Sequence, residues 1–207
     1  EITYGDWSSD VCSSDLYEGL ITLSLGDLYA EIEDFEMARQ AYERAEGIIN
    51  KRTDRFLSNS LSFSKAAFAL AQNDLSRAES ILIEVEDSVM AGGSKLEESQ
   101  FNMIWGRLRL LDGNPQEAVN HLQNAVQLLI EDGRELETNV ARVWLVAAHR
   151  RNENPAEAAQ IFAETASLTG NNHHGVLVAV RQAGEWLDGL QGDPSIGRAA
   201  QIGRAHV

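Results

Sequence analysis

Several residue groupings in this chain could do chemistry, and arginine is the most prominent. Arg107, Arg109, Arg142, Arg150, Arg151 and Arg181 fall in segments with helical spacing. A guanidinium presents a planar fork of donors suited to bidentate recognition of a carboxylate or phosphate. The adjacent His173 and His174 suggest metal ligation, yet neighbours on a helix point apart, and no cysteine or histidine four residues away completes a site. Gly92-Gly93-Ser94-Lys95 has the composition of a phosphate loop without its spacing or its preceding strand, and reads as a helix-to-helix connection. Glu97-Glu98 could serve as an acid-base pair, but at the head of a helix two carboxylates complement the helix dipole. Trp105, Trp144 and Trp186 recur at one helical phase, where core packing competes with a ligand platform. No catalytic, cofactor-binding or metal-binding residue is assigned, and the chain is read as non-catalytic.

The 207 residues carry a net charge of −15 and a single cysteine, Cys12. An acidic balance disfavours a phosphate-backbone partner, and one cysteine supports neither a disulfide framework nor a thiolate zinc site. No apolar run approaches the roughly 20 residues of a membrane helix. The two ends match in an unusual way. Residues 10–16 (Asp10 to Leu16) and 201–207 (Gln201 to Val207) back-translate into strings that are reverse complements of each other. Residues 1–16 and 201–207 therefore resemble translated sequencing adapter, and such segments are set aside from fold reasoning. Their removal takes four acids, one base and the cysteine, so the remaining 17–200 is still strongly acidic.

Positioning comes from a repeat. Ala38, Ala78, Ala118 and Ala158 are 40 residues apart, each following a turn-like pair: Asp34-Phe35, Asp74-Leu75, Asn114-Pro115 and Asn154-Pro155. A fixed period of this size indicates an array in which no unit buries its apolar face alone. In the third unit, Asn114 suits an N-cap, Pro115 the first helical position, and Glu117 completes an Asn-x-x-Glu capping box. Ala118, Val119, Leu122, Ala125, Val126 and Leu129 then share one face until Gly133 offers a stop. Each such B helix follows an A helix, expected at about 19–32, 57–72, 97–112 and 137–152. Val176 to Leu190 predict the A helix of a fifth, with Gly192-Asp193-Pro194 as its turn. The units are about 17–54, 55–94, 95–134, 135–172 and a partial 173–200.

These residues resemble the tetratricopeptide repeat. Leu25-Gly26, Tyr29, Ala38, Tyr42 and Ala45 nearly complete its signature in the first unit. Ala66, Ala78, Leu82 and Val85 follow in register, then Gly106, Ala118, Leu122 and Ala125, then Ala158 and Phe162. Small residues belong where helices A and B cross closely, and large ones fill the space beside them. The resemblance implies an all-α, right-handed α-solenoid of antiparallel helix pairs, four units plus the first helix of a fifth. The period departs from the common value of about 34. Forty-residue periods resemble those of bacterial signal-transducing regulators of the MalT, LuxR-type and antibiotic-regulatory classes, and also those of kinesin light chains, with the bacterial regulators favoured.

The family places A helices on a concave side. By that resemblance Gln100, Met103, Arg107, Leu110, Val143, Ala147, Arg150 and Arg151 line a groove, opposite an acidic B face bearing Asp74, Glu79, Glu84, Glu86 and Asp87. The groove would bind a protein or peptide, or another domain of the same chain. The alternative for the arginines is salt bridging to neighbouring helices. The implied protein is a cytoplasmic interaction module within a larger transcriptional or signalling regulator, with a stand-alone adaptor or assembly scaffold as the alternative. Neither direct nucleic-acid contact nor membrane insertion is expected.

Overall fold

The computed structural model describes residues 7–51, 54–166 and 174–187, with side chains described from Leu16. They form α1 (Trp7–Glu31), α2 (Phe35–Ile49), α3 (Arg55–Ala71), α4 (Leu75–Gly92), α5 (Lys95–Leu111), α6 (Pro115–Glu131), α7 (Glu135–Arg151), α8 (Pro155–Ala166), α9 (His174–Gln182) and α10 (Gly184–Leu187). The fold is all-α, a run of consecutive packed helices. It divides into two compact units, residues 1–88 and 89–207, with the boundary inside α4. In the first unit α1 packs on α2 and α3; in the second α5 packs on α6, and α7 meets α5, α6, α8, α9 and α10.

Helix starts keep the 40-residue period: Phe35, Leu75, Pro115 and Pro155 in one series, Arg55, Lys95 and Glu135 in the other. Two expectations change. Helix α1 begins at Trp7, so the segment resembling adapter continues the helix rather than preceding it. The fifth A helix is interrupted after Gln182 and resumes as the short α10. Gly192-Asp193-Pro194 and His173 lie outside the described residues.

One turn joins A to B in every pair. Residues 33, 73, 113 and 153 all have positive φ (64°, 58°, 81° and 58°), although only Gly113 is a glycine. The Asp34 N–H donates to the Tyr29 carbonyl (2.9 Å) and the Glu33 N–H to that of Ala30 (3.2 Å). Asp74 to Ala69, Asn114 to Arg109 and Asn154 to His149 repeat the first bond at 2.9, 2.8 and 2.9 Å. This is the Schellman ending, which satisfies the last carbonyls of helix A. The residue that closes it also starts helix B: Asp34 Oδ1 accepts from Met37 N (3.2 Å), and Asp74 Oδ1 from Arg77 N (3.1 Å). The capping box expected at Asn114 does not form. Its amide donates to Asp112 Oδ2 (3.0 Å), and Glu117 is drawn to Arg109 Nε (3.1 Å), so Pro115 alone marks the start.

The core follows the repeat signature. Ala38, Ala78, Ala118 and Ala158 are fully buried, as are Ala45, Ala66, Leu82, Leu122 and Ala125, with Tyr42 nearly so. Tyr29 and Phe162 pack half-buried at the margins. A Cβ built on Gly26 would lie 2.6 Å from the Tyr42 ring, and one on Gly106 would lie 2.4 Å from Leu122 Cγ. The A and B helices therefore cross at these glycines, and the B-helix side chain occupies the space a Cβ would take.

Gly106→Ala is expected to lower unfolding stability by about 1–3 kcal/mol despite the better helix propensity of alanine, since Leu122 must leave its position. A urea midpoint at or above wild type would refute the close crossing. Glu153→Gly is expected to raise stability by about 0.5–1 kcal/mol by relieving a left-handed residue with a Cβ; a lower midpoint would show that Glu153 is held by side-chain contacts worth more than its backbone strain.

Candidate functional site

Helix α7 packs against both α5 and α9, which brings Arg107, Trp144 and Gln182 together. The Arg107 guanidinium lies 4.7 Å over the Trp144 ring, and its Nη2 donates to Gln182 Oε1 at 3.5 Å. Its Nε is buried without a hydrogen-bond partner. Burial lowers the guanidinium to about 10. Among the described residues no acid pairs with it. The flat guanidinium gains from the face of the indole, but its Nε–H has no acceptor.

Arg109, Arg142, Arg150 and Arg181 are committed elsewhere. Arg109 lies over Trp105 (4.7 Å) and binds Asp112 (3.1 Å) and Glu117 (3.1 Å). Arg142 faces Glu164 across α7 and α8 at 3.8 Å. Arg150 and Arg181 each engage a neighbouring group, and Arg151 is exposed at the end of α7. The salt-bridge reading thus holds for Arg109 and Arg142.

Three expected groove residues lie elsewhere. Leu110, Val143 and Ala147 are 2, 6 and 0% exposed and belong to the core of the second unit. The reason is that α7 has helices on several sides, so phases that would face open space on a peripheral helix are covered. Met103 packs against the same core, while Gln100 remains half-buried. Trp105 and Trp144 are buried, in keeping with packing, and Trp105 stacks on His121 at 5.8 Å. Glu97 sits in the first turn of α5 as expected but is buried, a placement its sequence neighbours did not signal. The side chains of His174 and Trp186 are outside the described residues.

Sequence reasoning missed a cleft of about 670 Å³ in the first unit, between α2, α3 and the head of α4. Phe35, Tyr42 and Phe68 floor it, with Phe68 edge-on to both partners at 5.9 and 5.2 Å. Its rim charges are largely self-satisfied, through Arg39 with Glu36 and Lys65 with Glu46 (2.7 Å). The recurrence of aromatics at 35, 42 and 68 was the available signal. Beneath it, Tyr42 Oη donates to Asp27 Oδ1 at 3.0 Å, and burial raises both groups above their usual ranges. Among the described residues no group of three His, Cys, Asp or Glu is arranged to hold a metal ion, and no helix is long and apolar enough to cross a membrane.

His149, near the end of α7, is 4% exposed with both ring nitrogens unpartnered. Desolvation lowers its pKa below 6.5, against a smaller opposing pull from Glu157. Below pH 6.5 the unfolded chain therefore binds more protons than the folded one, so stability falls as pH drops through that value toward the folded pKa. His149→Phe is expected to flatten this acid slope in melting temperature between about pH 7.5 and 5.5; an unchanged slope would assign it to other groups. Compared with known proteins, the chain matches no family model, no curated protein and no solved structure.

Proposed function

We propose that the chain is a helical-repeat recognition module, acting by binding rather than catalysis, and that Arg107 receives an acidic group of a protein or peptide partner. One observation carries this reading: a desolvated guanidinium seated on Trp144 with an unpartnered Nε and, among the described residues, no acid beside it. A buried cation without a counter-charge is costly, and a carboxylate arriving from a partner would offset that cost through charge-assisted hydrogen bonds. Arg107 is half-buried as a whole residue, although its Nε is enclosed. The 40-residue spacing supports a place within a larger bacterial transcriptional or signalling regulator, which an ATPase or helix-turn-helix domain in the same reading frame would bear out.

The test uses a displayed random peptide library on the immobilised chain. Enriched peptides are expected to carry an acidic side chain or to depend on their C-terminal carboxylate. Arg107→Gln should weaken their binding by about tenfold or more, the loss of a charged hydrogen bond worth about 1.5–3 kcal/mol. Arg107→Glu should abolish it with helix content retained, at a lower melting temperature because the carboxylate would be desolvated against Trp144. Peptides with no acidic preference, or full affinity in Arg107→Gln, would overturn the proposal.

A further inference from the structure

Tyr17, Ile21, Leu25, Leu28 and Ile32 form an apolar row along α1 and the turn after it, and they are 63, 67, 41, 49 and 62% exposed. In a helix of 3.6 residues per turn this spacing keeps them within an arc of about 80°. The row faces away from α2. Gly26 lies against Tyr42 of α2, and Leu28, two residues on, is about 200° around the axis. The core of the first unit is served instead by Leu23, with Leu16, Leu20 and Tyr29 at its margin. Isolated exposed apolar residues are ordinary, but a continuous row on one face marks a contact surface.

The repeat shows what covers this phase elsewhere. Forty residues on, α3 presents Leu57, Leu61 and Phe68 in the same positions as Tyr17, Ile21 and Leu28. Leu57 and Leu61 are 1 and 5% exposed and cluster with residues of α1 and α2. The Phe68 ring meets Phe35 and Tyr42 of α2, the B helix of the pair before it. In α7 the same phase holds Ala141, Leu145 and Ala148, all buried in the second unit, where α7 packs on α5 and α6. An A helix of this chain thus buries this face against the preceding helix pair, whereas α1 carries the apolar residues and leaves them exposed.

We infer that the α1 row is a docking face for a further helix pair of the same repeat, whose B-type helix crosses α1 at Leu28 as α2 crosses α3 at Phe68. The occupant is an amphipathic antiparallel pair that sets aromatic or aliphatic side chains, as α2 sets Phe35 and Tyr42, against Ile21 and Leu28. Docking extends the nearest-neighbour interfaces from which repeat arrays draw their stability. This inference rests on the repeat geometry and is independent of the reading of Arg107.

The experiment places a duplicate of residues 17–56 directly ahead of Tyr17 and compares the extended chain with the 207-residue protein. Thermal melting should rise, and the thiol of Leu28→Cys, in a Cys12→Ser background, should react at least about tenfold more slowly in the extended chain, as a side chain reached through local opening does. Ile21→Glu should remove both effects in the extended chain and leave the melting of the 207-residue protein unchanged, since Ile21 is solvent-exposed there. Circular dichroism reports whether the added pair is helical. An added pair that is unfolded, or helical without slowing the thiol, overturns the inference. So does a dimer of the 207-residue protein, seen by sedimentation and dispersed by Ile21→Glu, which assigns the row to a second copy.

Discussion

The close crossing of A and B helices is the contact on which the rest of each unit depends. At Gly26 and Gly106 the B-helix side chain, Tyr42 or Leu122, fills the volume a Cβ would need. Ala66 and Leu82 hold the corresponding positions in α3 and α4, both fully buried. A crossing this tight sets the distance between the two backbones, and with it the phase at which every other residue of the pair meets a neighbour. The fully buried alanines at 38, 78, 118 and 158 are a consequence of the same geometry, since they sit where the B helix has no room for a larger side chain.

The turns convert this crossing into a repeat. One residue with positive φ closes helix A, and the next both completes the Schellman bonds and begins helix B, so the reversal uses few residues and little freedom. Three of the four left-handed positions hold Glu or Asn rather than glycine, which means that the hydrogen bonds and packing impose the conformation against the local preference. The cost is tolerated because both ends of the turn are anchored in buried helices.

Much of this was legible in the residues. The 40-residue ladder, the small-large pairs 26/42 and 106/122, and the Asp or Asn before each B helix predicted the bounds of α3, α5 and α7 and the starts of α2, α4, α6 and α8 to within a few residues and named most of the core, but not the start of α1 or the break after α9. Capping chemistry was less legible. Asn114 and Glu117 have the types of a capping box, but Asp112 and Arg109 compete for them, and such competition depends on side chains brought close only by the turn. The left-handed conformations of Glu33 and Glu153 had no signal in their residue type.

Sequence alone determined the period, the all-α class and the position of the A–B crossings, because these follow from residue size and helical phase, which are local and repeated. Tertiary structure decided which of the arginines keeps an unpartnered Nε. Arg107 and Arg109 are two residues apart with the same chemistry, yet Arg109 meets Glu117 of the next helix while Arg107 lies on Trp144 with no acid paired to it among the described residues. It also decided that Leu110, Val143 and Ala147 are core and that Leu28 is surface. A single helical phase is buried or open according to whether a neighbouring helix pair lies against it, and that is a property of the packing rather than of the helix.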